Sequence, residues 1–110
     1  MTIALKDRHC VPLADHPALS AAEINTLLDQ LQHWSCVGGF ITKTFHFAHF
    51  RATMAFVNAL AEMCEREDHH PELKVTYAEC TVRFNTHDVH GISVNDFICA
   101  AQADALVNAA

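Results

Sequence analysis

Glu65-Arg66-Glu67-Asp68-His69-His70-Pro71-Glu72-Leu73-Lys74-Val75-Thr76-Tyr77 is the stretch in which this chain changes its period. Before it, Phe50, Met54, Val57, Ala61 and Cys64 recur at helical spacing, and Phe56, Leu60 and Met63 widen that stripe. So broad an apolar face predicts a helix over about 49–66 buried against a sheet. Pro71 disfavours α geometry at His70 and closes the helix. After it, apolar residues alternate: Leu73, Val75 and Tyr77, then Cys80, Val82 and Phe84. That is the period of two strands. Thr81, Arg83, Asn85 and His87 occupy the opposite face, and His87 is expected to end the fourth strand of the chain.

Working outward, Phe40 to Phe47 alternates as well, with Ile41, Phe45 and Phe47 on one face and Lys43 as the exception. Gly38-Gly39 separates it from a short β-prone run, Trp34 to Val37, which is a hairpin signal. Ser20-Ala21-Ala22-Glu23 has the pattern of a capping box. Leu19 and Ile24 sit at staple positions, and Ile24, Leu27, Leu28 and Leu31 predict a first helix over about 20–32. Residues 1–19 hold Pro12 and Pro17 and read as an irregular leader. Gly91 marks a turn, and Ser93 with Asp96 caps a last helix whose apolar face is Val94, Phe97, Ile98, Ala101 and Ala105. The order α-β-β-α-β-β-α predicts an α+β sandwich: a four-stranded antiparallel sheet with helices packed on one face.

At 110 residues the chain is read as a single domain, 1–110, burying roughly 60–70% of its unfolded surface. Its net charge of −6, with seven Lys and Arg that never cluster, argues against nucleic acid as a partner. No apolar run is long enough for a membrane span. Five cysteines without a Cys-x-x-Cys pair suggest reduced thiols and a cytoplasmic protein.

The chemistry concentrates after the long helix. His69 and His70 follow its C-terminus, where the dipole favours charged imidazole. Glu65, Glu67 and Asp68 crowd the same turn, although carboxylates suit a helix C-terminus poorly. Local rules are broken most often at functional sites. Acidic neighbours raise a histidine pKa toward neutrality, where it can give and take protons. Neighbouring residues in an extended segment point to opposite sides, so His69 and His70 either flank a ligand or divide, one facing it and one supporting. His87 is expected to join them at one pocket mouth.

This pattern, an acidic residue, His-His-Pro, an aromatic, then Thr86-His87 and a downstream Asp96, resembles the signature of the pterin-4a-carbinolamine dehydratases, over a span from about Trp34 to the end. The resemblance implies a hydro-lyase that removes water from 4a-hydroxytetrahydropterin in tetrahydrobiopterin recycling, without cofactor or metal. It implies His69, His70 and His87 as catalytic residues, the first two for proton transfer and His87 for orienting the pterin. It places His69-His70-Pro71 and Thr86-His87-Asp88-Val89 at the substrate, with Glu65, Asp68 and Asp96 in support. Asp96 is also explained by helix capping alone. Tyr77 and Trp34 read as core or pocket wall. Two features depart from the family pattern. Leu73 stands where some members carry an aromatic, and Ala48-His49 stands where many carry an acidic cap, at a cost of about 1 kcal/mol.

Two rival functions stand beside it. His69, His70, His87 and His90 with nearby carboxylates could hold zinc. A dimerising regulatory module is the other, since animal relatives partner a homeodomain transcription factor. The family also implies a homodimer or homotetramer, and an aromatic amino acid hydroxylase as the source of substrate.

Overall fold

In the computed structural model, which describes residues 3–108, the elements follow in the expected order: α1 (Ala21–Leu28), β1 (Ser35–Val37), β2 (Phe40–His46), α2 (Phe50–Glu67), β3 (Glu72–Val75), β4 (Glu79–Phe84) and α3 (Val94–Asn108). The strands form one antiparallel sheet in the order β1-β2-β4-β3. Gly38 and Gly39 both have positive φ, 60° and 81°, and join β1 to β2 through the two-residue turn that matches strand twist.

One sheet face is the core. Ile41 and Phe45 of β2 and Cys80, Val82 and Phe84 of β4 are buried beneath Phe56, Leu60 and Met63 of α2 and Phe97 and Ile98 of α3. Lys43, the exception in the β2 pattern, is on this face too. Its ammonium is 2.8 Å from Asp104 of α3, whose carboxylate also accepts from Trp34 Nε1. A half-buried cation is tolerated when paired and hydrogen-bonded. The capping box of α1 forms as expected: Glu23 N–H donates to Ser20 Oγ, and Ser20 N–H to Glu23 Oε1. The helix stops at Leu28, four residues early, because Gln30 and Leu31 bond back three residues rather than four.

Three further expectations need correction. The buried stripe of α2 is Thr53, Phe56, Leu60, Met63, Cys64 and Glu67, while Phe50 and Ala61 face outward. Polar residues at both ends disguise it in the sequence, and each finds a distant partner; Thr53 Oγ1 donates to the Tyr77 carbonyl at 3.0 Å. The start of α2 is capped after all: His49 Nδ1 accepts from Ala52 N–H at 3.1 Å. An imidazole can supply the acceptor that Ser or Asp usually provides. Tyr77 is neither core nor pocket wall but 67% exposed, stacked on Phe50, because edge strand β3 ends at Val75 and leaves it in the turn.

The leader is more ordered than its composition suggests. Leu5–Asp7 form a 3₁₀ turn with Leu5 buried in the core. Cys10 Sγ lies 3.4 Å from Cys99 Sγ of α3. Cys64, Cys80 and Cys99 are buried thiols, and burial, the larger cause, pushes Cys64 up to about 12. Gly91 abuts the leader: a Cβ there would lie 3.0 Å from Ala18 Cβ, too close without movement. Among the described residues no helix is long and apolar enough to cross a membrane.

Candidate active site

Three element ends converge: the C-terminus of α2, the end of β4 and the N-terminus of α3. The first is shaped by Asp68, which adopts a left-handed conformation at φ 52°. His69 N–H then donates to Cys64 O and Asp68 N–H to Glu65 O, the paired bonds of a Schellman turn. This turn is what aims His69 back at the core. Its ring stacks on buried Phe84 of β4, with centroids 5.9 Å apart and planes 14° apart. Left-handed backbone costs a side chain about 1 kcal/mol, less for Asp than for most. Asp68→Gly is therefore expected to leave the fold intact and raise Tm by a few degrees, and Asp68→Val to lower it, as thermal melts would show.

The carboxylate of Asp96 is fully buried and accepts on both oxygens. Oδ1 takes the Nε2–H of His69 at 2.6 Å. Oδ2 takes Ser93 N–H at 2.9 Å and the Thr86 hydroxyl at 2.8 Å. With Thr86 donating to Asp96, the Ser93 hydroxyl must donate to Thr86 Oγ1, 2.6 Å away, and its own oxygen accepts from Asn95 N–H. Every donor in the chain then runs one way, toward the carboxylate. Asp96 thus joins the α3 cap to the imidazole. Its bond holds the His69 proton on Nε2 and leaves Nδ1 as the accepting nitrogen.

The neighbouring histidines divide. His69 is 11% exposed at its side chain, whereas His70 is 55% exposed and bonds Glu65 Oε1 at 2.9 Å on the surface. His87 does not end β4, which stops at Phe84. It opens a 3₁₀ turn, His87–Val89, inside a loop closed by the Thr86–Gly91 bridge, and its side chain is exposed. Pro71 is half-buried and Val89 buried. Of the residues nominated from sequence, Asp68, His69, Thr86 and Asp88 line a cleft of about 380 Å³. The cleft does not take in His70, Pro71, His87 or Val89. Because His69 and His70 turn apart, they do not make the shared ligand set that zinc requires; among the described residues no three His, Cys, Asp or Glu side chains converge to hold a metal.

The cleft is also lined by residues 10–13 of the leader, which nothing in the sequence announced. They are anchored by Glu67, whose side chain is 3% exposed. Its carboxylate accepts from Cys10 N–H at 2.7 Å, His9 Nδ1 at 2.8 Å and Gln102 Nε2 at 3.2 Å. Burial alone would raise its pKa, but these donors outweigh burial and hold it below the ordinary 4.5. A depressed carboxylate pKa stabilises the fold above the unfolded value and loses that contribution as pH falls through the folded one. Urea melts should therefore show stability declining below about pH 4.5, and Glu67→Gln should be less stable at neutral pH yet flatter in acid. Only the acidic character of this turn was readable in the sequence, since the partners lie on the leader and on α3.

The model of the family described as pterin 4 alpha carbinolamine dehydratase matches residues 17–106. A protein of Xanthomonas campestris pv. campestris (strain B100), named "Putative pterin-4-alpha-carbinolamine dehydratase", is 50% identical over 108 residues, covering 94% of this chain and 91% of its own length. One of the same name from Chromobacterium violaceum is 44% identical over 102 residues, covering 93% of this chain and 94% of its own. The fold is similar to a crystal structure from Brucella melitensis described as a transcriptional coactivator/pterin dehydratase, with a TM-score of 0.78, 31% identity, and 81% of this chain and 97% of that one covered. With the sequence match spanning the sheet, both long helices and the turns that carry His69, Thr86 and Asp96, the chain belongs to the pterin 4 alpha carbinolamine dehydratase family, a family of hydro-lyases.

Proposed function

We propose that this protein dehydrates 4a-hydroxytetrahydropterin to quinonoid dihydropterin by histidine acid–base catalysis, in the cytoplasm, as a step of tetrahydrobiopterin recycling supplied by an aromatic amino acid hydroxylase. The observation that carries the reading is the His69–Asp96 pair at the edge of a cleft. Dehydration must take one proton from a ring nitrogen and give one to the departing hydroxyl, so no redox cofactor is called for. His69 Nδ1, with Nε2 held by Asp96, is suited to take the ring proton. His70, paired with Glu65, is the donor to the hydroxyl, and the exposed His87 orients the pterin. Both are adjacent in the chain to cleft-lining residues, and exposed side chains reorient rapidly. Asp88 offers a carboxylate to the hydrogen-bonding edge of the ring, while Thr86, its hydroxyl committed to Asp96, lines the cleft beside it.

The same reading includes a homodimer or homotetramer. β3 is an edge strand that carries exposed Leu73 and Val75, and exposed Tyr77 and Phe50 stack on each other beyond its end. An apolar open edge is a natural site for pairing with a second copy. Sedimentation equilibrium at micromolar concentration tests this, and a monomeric mass would overturn it. The activity is tested by following loss of freshly generated carbinolamine by absorbance, with and without protein. Acceleration over buffer is the expected result; a rate equal to buffer refutes the reading.

A further inference from the structure

We infer that residues 10–13 form a substrate-binding strap: Val11, Pro12 and Leu13 supply an apolar wall for the flat face of the pterin ring, and buried Glu67 and Asn95 act as positioning residues that hold it there. The identity of the ligand rests on the dehydratase reading above; the construction of the strap does not. Residues 10–13 precede the span 17–106 that the family model matches.

The anchoring is deliberate in its chemistry. Asn95 grips a single residue from both sides: Oδ1 accepts from Val11 N–H at 3.2 Å, and Nδ2 donates to Val11 O at 2.7 Å. Glu67 accepts Cys10 N–H, the adjacent peptide donor. Gln102 spends one amide hydrogen on Arg8 O at 2.9 Å and the other on Glu67 Oε2. Glu67, Asn95 and Gln102 are all buried, and burying a polar side chain is unfavourable unless its bonds are made. Apolar residues at these helix positions would attach a leader just as firmly but leave it free to slide. A satisfied polar network instead selects one register.

That register presents Val11 outward. It remains 53% exposed and Pro12 is exposed, while Leu13 is half-buried, and all three line the same cleft as His69, Thr86 and Asp88. Apolar lining with a few placed polar groups is the usual build of a small-molecule site. It suits a flat heteroaromatic ring, whose face needs apolar contact and whose edge needs donors and acceptors. Leu73, where some relatives place an aromatic, sits on β3 and does not line this cleft, which leaves the strap to supply the ring contact.

The test compares the native protein with Val11→Ser and Glu67→Gln, reading KM and kcat for carbinolamine dehydration and binding of a stable dihydropterin by equilibrium dialysis. Val11 is exposed, so its substitution leaves the fold intact, and a thermal melt checks Glu67→Gln. Val11→Ser is expected to raise KM and weaken dihydropterin binding about tenfold, with kcat at saturation within about twofold. Glu67→Gln should do the same while amide hydrogen exchange at residues 10–13 accelerates. Unchanged KM and unchanged binding in Val11→Ser overturn the strap. If the native protein binds dihydropterin but does not accelerate dehydration, the reaction assignment fails, and weakened binding in Val11→Ser still upholds the strap. If the native protein binds no pterin, both fall.

Discussion

His69→Ala is expected to lower the protein-dependent rate of carbinolamine dehydration by roughly 10²–10⁴-fold, the range for loss of a positioned acid–base group. The deficit should appear in kcat as well as in kcat/KM, because the imidazole acts on a proton in flight rather than on the bound ring. His69 is nearly buried, so the substitution also removes a contact with Phe84, and a melt must accompany the assay. His70→Ala and His87→Ala change exposed side chains and should leave stability untouched. If His70 is the proton donor, its loss also lowers kcat; if His87 orients the ring, its loss raises KM. The background reaction is subtracted with buffer alone. Native kcat in His69→Ala would sink the assignment, whatever the other variants show.

Asp96 carries the largest expected effect on stability. Asp96→Ala removes the acceptor for Ser93 N–H, the Thr86 hydroxyl and His69 Nε2 at one stroke. Each buried group left unsatisfied costs about 1–3 kcal/mol, and removing one partner of a buried pair costs about 3–5 kcal/mol, which is the loss expected here. For a domain of this size that lowers Tm by on the order of 10–20 °C. Asp96→Asn separates the fold from the chemistry. It keeps the shape and one accepting oxygen, so most of the stability should survive if that oxygen faces Ser93 and Thr86. The amide then donates to His69 Nε2 and forces the proton onto Nδ1, the nitrogen the reaction needs free. A folded Asp96→Asn protein with kcat reduced about 10²-fold or more supports the pair as a working unit. Full activity in that variant shows instead that Asp96 serves only the helix cap.

The histidine segment illustrates what is readable from a chain and what is not. Pro71 and the change of period around it announce the end of α2, and the divergence of His69 from His70 follows from extended geometry. Which of the two turns inward does not follow. That depends on Asp68 taking a left-handed conformation and on Phe84 and Asp96 waiting beneath. The three acids of this turn looked like one anomaly in the sequence. In the fold they have three separate tasks: Glu65 pairs with His70, Glu67 anchors the leader, and Asp68 makes the turn. His87 was expected at a strand end because the alternation runs through it, yet β4 stops three residues earlier, at Phe84, and the Thr86–Gly91 bridge closes the chain into a loop. The face of α2 was displaced for a related reason, since Thr53 and Glu67 are buried polar residues that a hydrophobic pattern scores as outside.

The sequence by itself determined the order of helices and strands, the Gly38-Gly39 turn, the Ser20 capping box and the family signature around His69-His70-Pro71. All of these rest on neighbours within a few residues, where backbone preference and side-chain period act directly. Only the tertiary structure decided the partners: His69 with Asp96 across 27 positions, Cys10 with Glu67 across 57, and Trp34 with Asp104 across 70. A buried polar side chain is stabilised by whatever group the packed chain brings to it, and local sequence does not encode which group that will be.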